Sequence, residues 1–485
     1  MSENPQTANI PIVVDLDGTL ISSDLLYESA SQFIIQNPFQ MLKLPYWLAK
    51  KGIAYLKGQL AAASEIDVAL LPYNSSLIEW LRQQKKSGRK LVLATASDEG
   101  LANSVAKYIG LFNEVFGSKG SINLKSAQKR NHLVSLYGEN GFDYVGNSSA
   151  DLPIWGCARR AYIVGNSGSL IRALKKTGKL AQSFPLGSDD RGVIATWIKE
   201  LRIHQWAKNI LVLVPLVAAH KYTDISSVLA ASLAFLFYGL VASSAYVLND
   251  LVDIQNDRAH QYKYSRPLAA GRLSILSAWV VWPALAVTPF FIAFSVLPMR
   301  FGLVLATYFL LTLAYSFVLK KIAILDVLVL ACLYTLRIIA GTFAIGVSLS
   351  FWLISMSLFL FTGLAFIKRY SELLPLKGEI NREVKGRGYL SEDLTMVASM
   401  GISASYCSVL VAALYIQDAH TAVLYRTPQI IWLVCPILLY WVSYMWLMTI
   451  RGRLHEDPIA YALKDGPSWI ILGLIIAVFV AARLI

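Results

Sequence analysis

NDLVDIQNDRAHQYKYSRPLAAG, residues 249–271, directly follows a long apolar run in this 485-residue chain. Asp250, Asp253 and Asp257 are spaced i, i+3 and i+7, so on a helix their side chains leave one face. Asn249 lies four residues before Asp253 and shares that face. Carboxylates this close repel one another unless a cation lies among them, and oxygen ligands without Cys or His favour Mg²⁺. The stretch therefore predicts a magnesium site at the end of an apolar helix.

Four basic side chains follow these acids: Arg258, His260, Lys263 and Arg266. An acidic cluster followed by a basic one at a membrane edge suits a Mg²⁺-bound diphosphate and its free phosphate oxygens. The alternative is a solvated loop of mixed charge beside the membrane. We favour the binding site, because clusters of ionisable residues next to spanning helices are generally functional.

The composition of the chain changes sharply near residue 200, from the pattern of an α/β domain to successive apolar runs. The whole chain is 55% hydrophobic and 15% charged, with a net charge of +13. In a membrane protein this charge is typical of cytoplasmic loops beside anionic lipids, and it predicts no nucleic-acid partner. The four cysteines form no CxxC pair, so they indicate neither a zinc site nor a disulfide framework.

Nine apolar segments predict an all-α polytopic membrane domain, because most approach the roughly 20 residues needed to span a bilayer. They lie at about residues 207–220, 227–248, 274–297, 301–319, 322–345, 351–367, 395–416, 429–449 and 467–484. Loops after the second, fourth, sixth and eighth segments are rich in Lys and Arg, which places them in the cytoplasm by the positive-inside rule. The N-terminal domain shows no signal peptide and falls on the same side. We therefore expect a multi-pass protein of the bacterial inner membrane, surrounded by membrane lipids.

Three apolar runs in the N-terminal part predict buried parallel strands. Ligands of open α/β sheets bind beyond the carboxyl ends of the strands, so the polar residues after each run predict one site. These residues are Asp15 and Asp17 after residues 10–14, Thr95 after residues 90–94, and Asn147 and Asp151 after residues 142–146. Two carboxylates followed by Gly can hold a metal and attack phosphorus, and a hydroxyl can hold a phosphoryl oxygen.

These positions resemble the haloacid dehalogenase (HAD) superfamily of phosphatases, and the resemblance covers the whole N-terminal domain. It implies a Rossmann-like parallel sheet with a helical cap, and Mg²⁺ as cofactor. Asp15 would be the nucleophile that forms an aspartyl-phosphate, and Asp17 would be the general acid and base. Thr95 would bind the phosphoryl group, and Asp151 would support the metal.

The same resemblance implies a lysine that neutralises the phosphoryl group. We favour Lys129, which opens KRNHLVSLYG, over Lys125, which lies nearer the usual distance from the last motif. That last motif departs from the family, because Asn147 stands where the family has Asp. Asn can ligate Mg²⁺ through its carbonyl oxygen, but it brings no charge. A structural or regulatory domain is therefore the alternative to an active phosphatase.

The domain boundary is predicted from a polar, turn-rich linker near residues 183–191, which separates a domain of residues 1–190 from one of residues 191–485. Residues 21–80 lie between the first two motifs and predict a helical cap over the phosphatase site. The cap contains the amphipathic sequence FQMLKLPYWLAKKGIAYLKGQL. Its lysines and aromatic residues suit a membrane surface, and a cap core with solvated lysines is the alternative.

In the C-terminal domain, NDxxDxxxD after the second apolar segment resembles the UbiA superfamily of intramembrane prenyltransferases. The resemblance implies nine helices and two cytoplasmic acid motifs that bind Mg²⁺. The second motif, normally DxxxD after the sixth helix, is absent, and Lys368, Arg369 and Glu372 occupy its place. This departure argues against two metal clusters on a prenyl diphosphate. It favours one metal cluster and a cationic patch that binds another phosphate.

A subgroup with this pattern is the decaprenyl-phosphate phosphoribosyltransferases. They transfer 5-phosphoribosyl from phosphoribosyl diphosphate (PRPP) to a polyprenyl phosphate and release diphosphate. The chain resembles them along nearly the whole membrane domain. Besides residues 249–271, the matching runs are HQWAKNILVLVPL from His204, LRIIAG from Leu336, KRYSEL from Lys368 and EDPIAYALKD from Glu456.

The resemblance implies a role for each polar group. Asp250 and Asp253, with Asn249 and Asp257, would hold Mg²⁺ on the donor diphosphate. The remaining implied roles are phosphate binding by Lys263, Arg266, Lys368 and Arg369, contact with ribose hydroxyls by Glu372, and binding of the lipid phosphate by Arg337, Gln205, Lys208 and Asn209.

Plainer interpretations of three of these groups stay open. Lys263 and Lys368 would also satisfy the positive-inside rule, and Arg337 could pair with Asp326 or a carbonyl group. Asp457 and Asp465, with Glu456, fit a solvated loop and receive no role.

The fusion of the two domains suggests a joint hypothesis. The transferase product still bears a 5-phosphate, which a phosphatase on the same membrane face would remove. The alternatives are an aromatic prenyltransferase, which would need the second DxxxD, and a membrane-anchored phosphatase whose helices only bind lipid.

Overall fold

The computed structural model describes residues 10–120, 123–185, 192–378, 382–384, 387–417, 425–454 and 457–484. The chain forms two compact units, one of residues 1–201 with 246–283 and one of residues 202–245 with 284–485. The domain division at residue 190 stays a prediction, and residues 186–191 of the expected linker lie outside the described residues.

A parallel sheet of six strands forms the centre of the first unit, in the order β3-β2-β1-β4-β5-β6. Its strands are β1 (Ile12–Val14), β2 (Leu91–Asp98), β3 (Glu114–Ser118), β4 (Asp143–Gly146), β5 (Ala161–Val164) and β6 (Leu180–Phe184). In the register, Val14 lies opposite both Leu93 of β2 and Val145 of β4. The three apolar runs are therefore adjacent central strands, and the polar residues after them meet at one edge of the sheet. This arrangement confirms the predicted α/β fold.

The helices that accompany this sheet are α1 (Leu25–Gln36), α2 (Lys43–Ala63), α3 (Ser75–Lys86), α4 (Glu99–Ile109), α5 (Ala127–Tyr137), α6 (Leu152–Cys157), α7 (Gly168–Lys176) and α8 (Val193–Glu200). Helices α3 and α4 pack on one face of the sheet and α5, α6 and α7 on the other, while α8 packs outside these two cores. Side chains of β1 alternate between the two cores, since Ile12 and Val14 pack with α3 and α4 while Val13 packs with α5 and α6. Helices α1 and α2 lie between β1 and β2 in the sequence and form the predicted helical cap.

The regular elements in the rest of the described chain are helices. Its helices are α9 (Val214–Ala218), α10 (Ile225–Val252), α11 (Ile254–Ala259), α12 (Ile275–Val296), α13 (Met299–Phe317), α14 (Leu325–Ala344), α15 (Phe351–Leu373), α16 (Leu394–Gln417), α17 (Val434–Ile450), α18 (Pro458–Lys464) and α19 (Gly466–Leu484). The first residues of this region, Ile203–Leu213, form a 3-10 helix that leads directly into α9.

Eight helical segments among the described residues are long and apolar enough to cross a membrane. They correspond to the second through ninth apolar segments of the sequence, and they identify an integral membrane protein. The first segment differs from expectation, because Ile203–Ala218 is a shorter apolar helix and most of it has 3-10 geometry. The part of the chain that the structure describes thus has eight candidate spans and one short apolar helix at the positions of the nine predicted segments.

Small residues allow the helices of the second unit to approach closely. A Cβ added at Gly363 of α15 would lie 2.2 Å from Oγ of Ser405 on α16. A Cβ at Gly401 of α16 would lie 2.3 Å from the Trp446 ring on α17. The indole N–H of Trp446 donates to the Ser405 hydroxyl at 3.0 Å. Close backbone approach and interhelical hydrogen bonds are the interactions that stabilise helix pairs in lipid.

We predict that Asp143→Ala strongly destabilises the N-terminal domain. The Asp143 side chain is 0% exposed and accepts from the guanidinium groups of Arg89 at 2.6 Å and Arg159 at 2.7 Å. Removing it leaves the buried Arg89 unpaired, which costs about 3–5 kcal/mol. Denaturant-dependent proteolysis of full-length protein would measure the loss. Glu79→Ala, in an exposed ion pair with Arg82, is the control and should change stability by less than about 1 kcal/mol.

Candidate active sites

The phosphatase-like site lies beyond the carboxyl end of β1. The ammonium group of Lys129, on α5, donates to Asp15 Oδ1 at 2.6 Å. Asp17 Oδ2 accepts from the hydroxyls of Thr95 at 3.1 Å and Ser97 at 2.6 Å, and its Oδ1 accepts from the backbone N–H of Leu25. The structure thus brings together the two acids, the hydroxyl and the favoured lysine. Lys125, the other candidate, has an exposed side chain.

The electrostatics of this site centre on Asp15. Burial raises the pKa of Asp15 to about 7, and Lys129 opposes that shift. The carboxylates of Asp151 and Asp17 add to it. A cation placed among these acids would favour their charged forms, as a phosphatase nucleophile requires.

Lys57, from the second half of α2, is a site residue that the sequence analysis missed. Its ammonium group donates to the carbonyl of Ala96 at 2.5 Å, between Thr95 and Ser97. Burial lowers the pKa of Lys57, while the charges of Asp17 and Asp24 raise it. The cap therefore contributes a cation to the site. Only the amphipathic spacing of the cap sequence hinted at such a contribution.

The loop after β4 holds Asn147 directly against the first loop. A Cβ added at Gly18, whose φ is +69°, would lie 2.1 Å from Asn147 Nδ2, so only glycine fits there. Asp151 Oδ2 accepts from the backbone N–H groups of Asn147 and Ser148, and its Oδ1 accepts from the Tyr144 hydroxyl. The structure therefore uses Asp151 to position Asn147. For Mg²⁺, the available oxygens are those of Asp15, Asp17 and the Asn147 amide.

Residues 249–257, which we call the acid stretch, lie at the junction of two helices. Helix α10 ends at Val252, Asp253 adopts φ −93° and ψ 11°, and α11 begins at Ile254. The helical hydrogen bonds continue across this junction, because the N–H of Asp253 donates to Asn249 O and the N–H of Asp257 donates to Asp253 O, each at 2.8 Å. The side chains of Asp250 and Asp257 consequently lie on the same side of this helical segment.

One guanidinium group joins the two outer acids. Nη1 of Arg266 donates to Asp250 Oδ1 at 3.0 Å and to Asp257 Oδ2 at 2.6 Å. Among the described residues, no three His, Cys, Asp or Glu side chains converge as a metal-binding group. The carboxylates of Asp250 and Asp257 nevertheless converge on the guanidinium group of Arg266. Mg²⁺ is usually held by one or two carboxylates together with substrate phosphates, so this donor set fits it.

The basic residues after the acids differ in their surroundings. Arg258 is buried and forms an ion pair with Glu28 of α1, at 2.6 Å between Nη2 and Oε1. Its Nε also donates to the carbonyl of Ala269. Arg258 therefore joins the acid stretch to the cap, a role that differs from the predicted phosphate contact. His260 and Lys263 are exposed, as phosphate ligands in an open loop would be.

The second unit contains a cationic cluster around Asp457. Lys208 Nζ lies 2.9 Å and Lys368 Nζ 3.5 Å from Asp457 Oδ2. Lys208 also lies over the Tyr334 ring, at 5.9 Å from its centroid. Burial alone would raise the pKa of Asp457, but the two ammonium groups outweigh it and hold the pKa at about 2. Asp457 received no role from the sequence, although it belongs to the matching run EDPIAYALKD.

Arg337 lies in an aromatic pocket of the second unit. Its Nε donates to Asn209 Oδ1 at 2.9 Å, and its Nη2 donates to the Tyr308 hydroxyl at 3.0 Å. The guanidinium carbon lies 4.9 Å from the Tyr308 ring centroid and 5.3 Å from that of Tyr334. The structure thus brings together Arg337 and Asn209, two of the predicted lipid-phosphate ligands. Gln205 and Lys208 lie on the same 3-10 helix as Asn209.

Arg369 and Glu372 bond to each other. Nη1 of Arg369 donates to Glu372, and its Nε lies 2.7 Å from Asp326 Oδ2. Arg387 also faces Glu372, at 3.7 Å. The side chain of Arg369 is buried, so its contacts hold α15 against α14. Glu372 remains half-exposed, where a hydroxyl-bearing ligand could reach it.

Comparisons with known proteins agree with this architecture. A model of the UbiA prenyltransferase family matches residues 210–464. The protein y4nM of Sinorhizobium fredii is 37% identical over 98% of this chain and 91% of its own length. Nodulation protein NoeC of Azorhizobium caulinodans is 34% identical over 58% of this chain and 91% of its own. The decaprenyl-phosphate phosphoribosyltransferase of Mycolicibacterium smegmatis is 29% identical over 58% of this chain and 90% of its own.

We predict that the Glu28–Arg258 ion pair holds the loop after the acid stretch in place. Glu28→Gln leaves Arg258 as a buried, unpaired charge, which costs several kcal/mol. Trypsin should then cut after the exposed Lys263 several-fold faster in full-length protein, measured by mass spectrometry of the fragments.

The charge-swapped pair Glu28→Arg with Arg258→Glu should restore most of the resistance, because the opposite charges meet again. Glu79→Gln, on the surface of α3, is the matched control and should leave the cleavage rate unchanged. A loop that is cut equally fast in wild type and Glu28→Gln would contradict the prediction.

Proposed function

This chain belongs to the UbiA prenyltransferase family, and from that premise we propose that it transfers 5-phosphoribosyl from PRPP to a polyprenyl phosphate, with release of diphosphate. The observation that carries the proposal is the pair of lysines on Asp457. Lys208 and Lys368 form a cationic site at the place where a second acid motif would stand. Cations there suit a phosphate oxygen and would repel a second metal ion. The similarity to a decaprenyl-phosphate phosphoribosyltransferase supports the same choice.

The proposed reaction breaks the bond between the anomeric carbon of ribose and the diphosphate oxygen. An oxygen of the polyprenyl phosphate forms the new bond to that carbon, and diphosphate leaves. Mg²⁺, when bound, would stabilise the charge that develops on the leaving diphosphate. Asp250 and Asp257, whose carboxylates converge, would hold it together with the diphosphate oxygens, and the predicted ligands Asp253 and Asn249 would have to turn toward it.

The basic side chains bind and orient the phosphates. Arg266 occupies the space between Asp250 and Asp257, and it would pass to the diphosphate oxygens when the acids take up a metal. Exposed Lys263 and His260 would contact the same oxygens. Lys208 and Lys368 would bind a further phosphate, in exchange for part of their attraction to Asp457.

Arg337 and Asn209 would receive the lipid phosphate. The guanidinium group is buried among tyrosine rings and already directs its donors to neutral oxygens. The guanidinium group would attract an anion more strongly in this pocket than in water, because charges are poorly screened in a site of low dielectric constant. Gln205, on the same 3-10 helix as Asn209, would add a neutral donor.

The N-terminal domain would remove the 5-phosphate from the transferase product. Asp15 would attack phosphorus, and Asp17 would protonate the leaving hydroxyl of ribose. Thr95, Ser97, Lys57 and Lys129 would bind the phosphoryl oxygens. Water would then hydrolyse the aspartyl-phosphate, with Asp17 accepting its proton. We place both reactions on the cytoplasmic face of the inner membrane, following the distribution of basic loops.

Purified full-length protein should convert PRPP and decaprenyl phosphate into a phosphoribosyl lipid in the presence of Mg²⁺, and chelation should stop the reaction. Lys368→Met should lower kcat/KM about tenfold to a hundredfold, because a charge-assisted hydrogen bond contributes about 1.5–3 kcal/mol. Mass spectrometry of the lipids measures the product. Asp250→Asn should lose activity as well.

Lys377→Met, an exposed position after α15, is the matched control for Lys368→Met, and Asn256→Ala on α11 is the control for Asp250→Asn. Both controls should retain wild-type turnover. Product from a prenyl diphosphate and an aromatic acceptor, without product from PRPP, would identify an aromatic prenyltransferase instead.

Labelled phosphoribosyl lipid should release inorganic phosphate with wild-type protein and not with Asp15→Asn, which lacks the nucleophile. Asp67→Asn, an exposed acid of the cap, should release phosphate at the wild-type rate. Equal release by wild type and Asp15→Asn would show that the first domain is not this phosphatase. Asn147→Asp should reduce the Mg²⁺ concentration needed for half-maximal release, because it restores a charged ligand.

A further inference from the structure

The cap carries an exposed apolar surface at the corner between α1 and α2. We call residues 38–48 the cap corner. Phe39 is 97% exposed, Leu42 is 74% exposed and Tyr46 is 56% exposed, and Met41 and Leu48 are exposed beside them. Contiguous apolar surface of this kind generally marks an interaction site.

The orientation of the cap corner is fixed by its inward-facing aromatic residue. Trp47 packs on the buried Phe33 of α1, with 5.3 Å between ring centroids. Its sequence neighbours Tyr46 and Leu48 therefore point away from the cap core. The exposed side chains belong to the start of α2 and to the turn before it, so they lie on regular structure.

The charge of this part of the cap is uniformly positive. Between Glu28 and Glu65 the sequence contains four lysines and no Asp or Glu. Lys43 and Lys50 are exposed and flank the apolar side chains, and Lys50 Nζ lies 5.2 Å from the Tyr46 ring centroid. Lysines beside exposed aromatic and aliphatic residues are the pattern of a helix that lies in the interface of an anionic bilayer.

The same cap contacts the first turns of an apolar helix of spanning length. The indole N–H of Trp279, near the start of α12, donates to the Ser31 hydroxyl of α1 at 3.0 Å. Trp279 also meets Trp282 edge to face, at 5.8 Å between centroids. Tryptophan is enriched at the membrane boundary. Helix α1 therefore contacts the end of α12 that carries two tryptophans, and the cap corner begins two residues beyond the end of α1.

Helix α2 links the cap corner to the phosphatase-like site. Gly52 interrupts the helix with φ +77°, and nothing lies within 4 Å of a Cβ added there. The half before Gly52 carries the exposed apolar face. The half after it carries Lys57, whose ammonium group reaches Ala96 O beside Thr95. One helix thus carries both the exposed apolar surface and Lys57, which we propose to bind phosphate.

We propose that the cap corner docks in the headgroup layer of an anionic bilayer, and that the N-terminal domain therefore takes its phosphate monoester from a membrane lipid. The docking is inferred from the exposed apolar side chains, the lysines beside them and the contact with α12. The choice of a lipid-linked substrate rests on the proposed phosphatase function. It specifies a lipid-linked substrate and excludes a small soluble phosphate ester as the main one.

Site-specific fluorescence tests the docking in the full-length protein. The four native cysteines are replaced by alanine, and an environment-sensitive nitrobenzoxadiazole probe is attached at Leu42→Cys. The matched control is Tyr108→Cys on α4, which is 54% exposed and lies outside the cap corner. In nanodiscs that contain phosphatidylglycerol, we expect blue-shifted emission and several-fold weaker iodide quenching at position 42, and neither change at position 108.

Two outcomes would overturn the docking. One is iodide quenching at position 42 as strong as at position 108. The other is shielding that depends on the number of protein copies per nanodisc, which would assign the cap corner to a contact between two chains. Lys43→Glu with Lys50→Glu should remove the preference for phosphatidylglycerol over phosphatidylcholine.

Activity tests the substrate class separately. Phe39→Asp with Leu42→Asp should lower hydrolysis of phosphoribosyl lipid about tenfold or more, because burial of two large apolar side chains is lost. Hydrolysis of soluble p-nitrophenyl phosphate should stay at the wild-type rate. Equal loss on both substrates would overturn the lipid-substrate proposal. Wild-type protein that hydrolyses neither substrate would refute the phosphatase function, while the fluorescence would still decide the docking.

Discussion

A charge that leaves water has to meet an opposite charge, and this constraint shapes each part of the structure. In the N-terminal domain, Asp143 is fully buried only because two arginines reach it. Within the second unit, Arg369 is buried because Asp326 and Glu372 face it. Burying an ion costs several kcal/mol, and a close partner with further hydrogen bonds recovers much of that cost. Removing one ion of a buried pair therefore destabilises the protein far more than replacing both ions with apolar side chains would.

The same constraint applies at the sites that we propose to bind phosphate. Lys129 faces Asp15, Arg266 faces two carboxylates of the acid stretch, and two lysines face Asp457. Each cation is held by an acid in the absence of ligand, so it is not a bare buried charge before a phosphate binds. An exchange of the acid for a phosphate costs less reorganisation than the assembly of a site from solvated side chains. The internal ion pairs hence hold the proposed phosphate-binding groups in defined positions.

The sequence determines the parts of this arrangement that depend on local spacing. Asp15, Thr95 and Asn147 could be grouped because parallel strands bring their carboxyl ends to one edge. The common face of Asp250 and Asp257 followed from helical periodicity. Partners far apart in the chain were not predictable: Glu28 and Arg258 are separated by 230 positions, and Lys208 and Asp457 by 249. The 3-10 geometry of Ile203–Leu213 was also missed, since apolar composition predicts burial but not the type of helical turn.

The contact between the cap and the acid stretch bears on why the two domains share one chain. Arg258 follows Asp257 directly, and its ion pair with Glu28 ties the acid stretch to helix α1. Helix α1 also begins beside the phosphatase-like site, because the N–H of Leu25 donates to Asp17. A change in the position of α1 would therefore act on Asp17 at one end and on Arg258 along the helix. One helix of the cap thus contacts both the acid stretch and the phosphatase-like site.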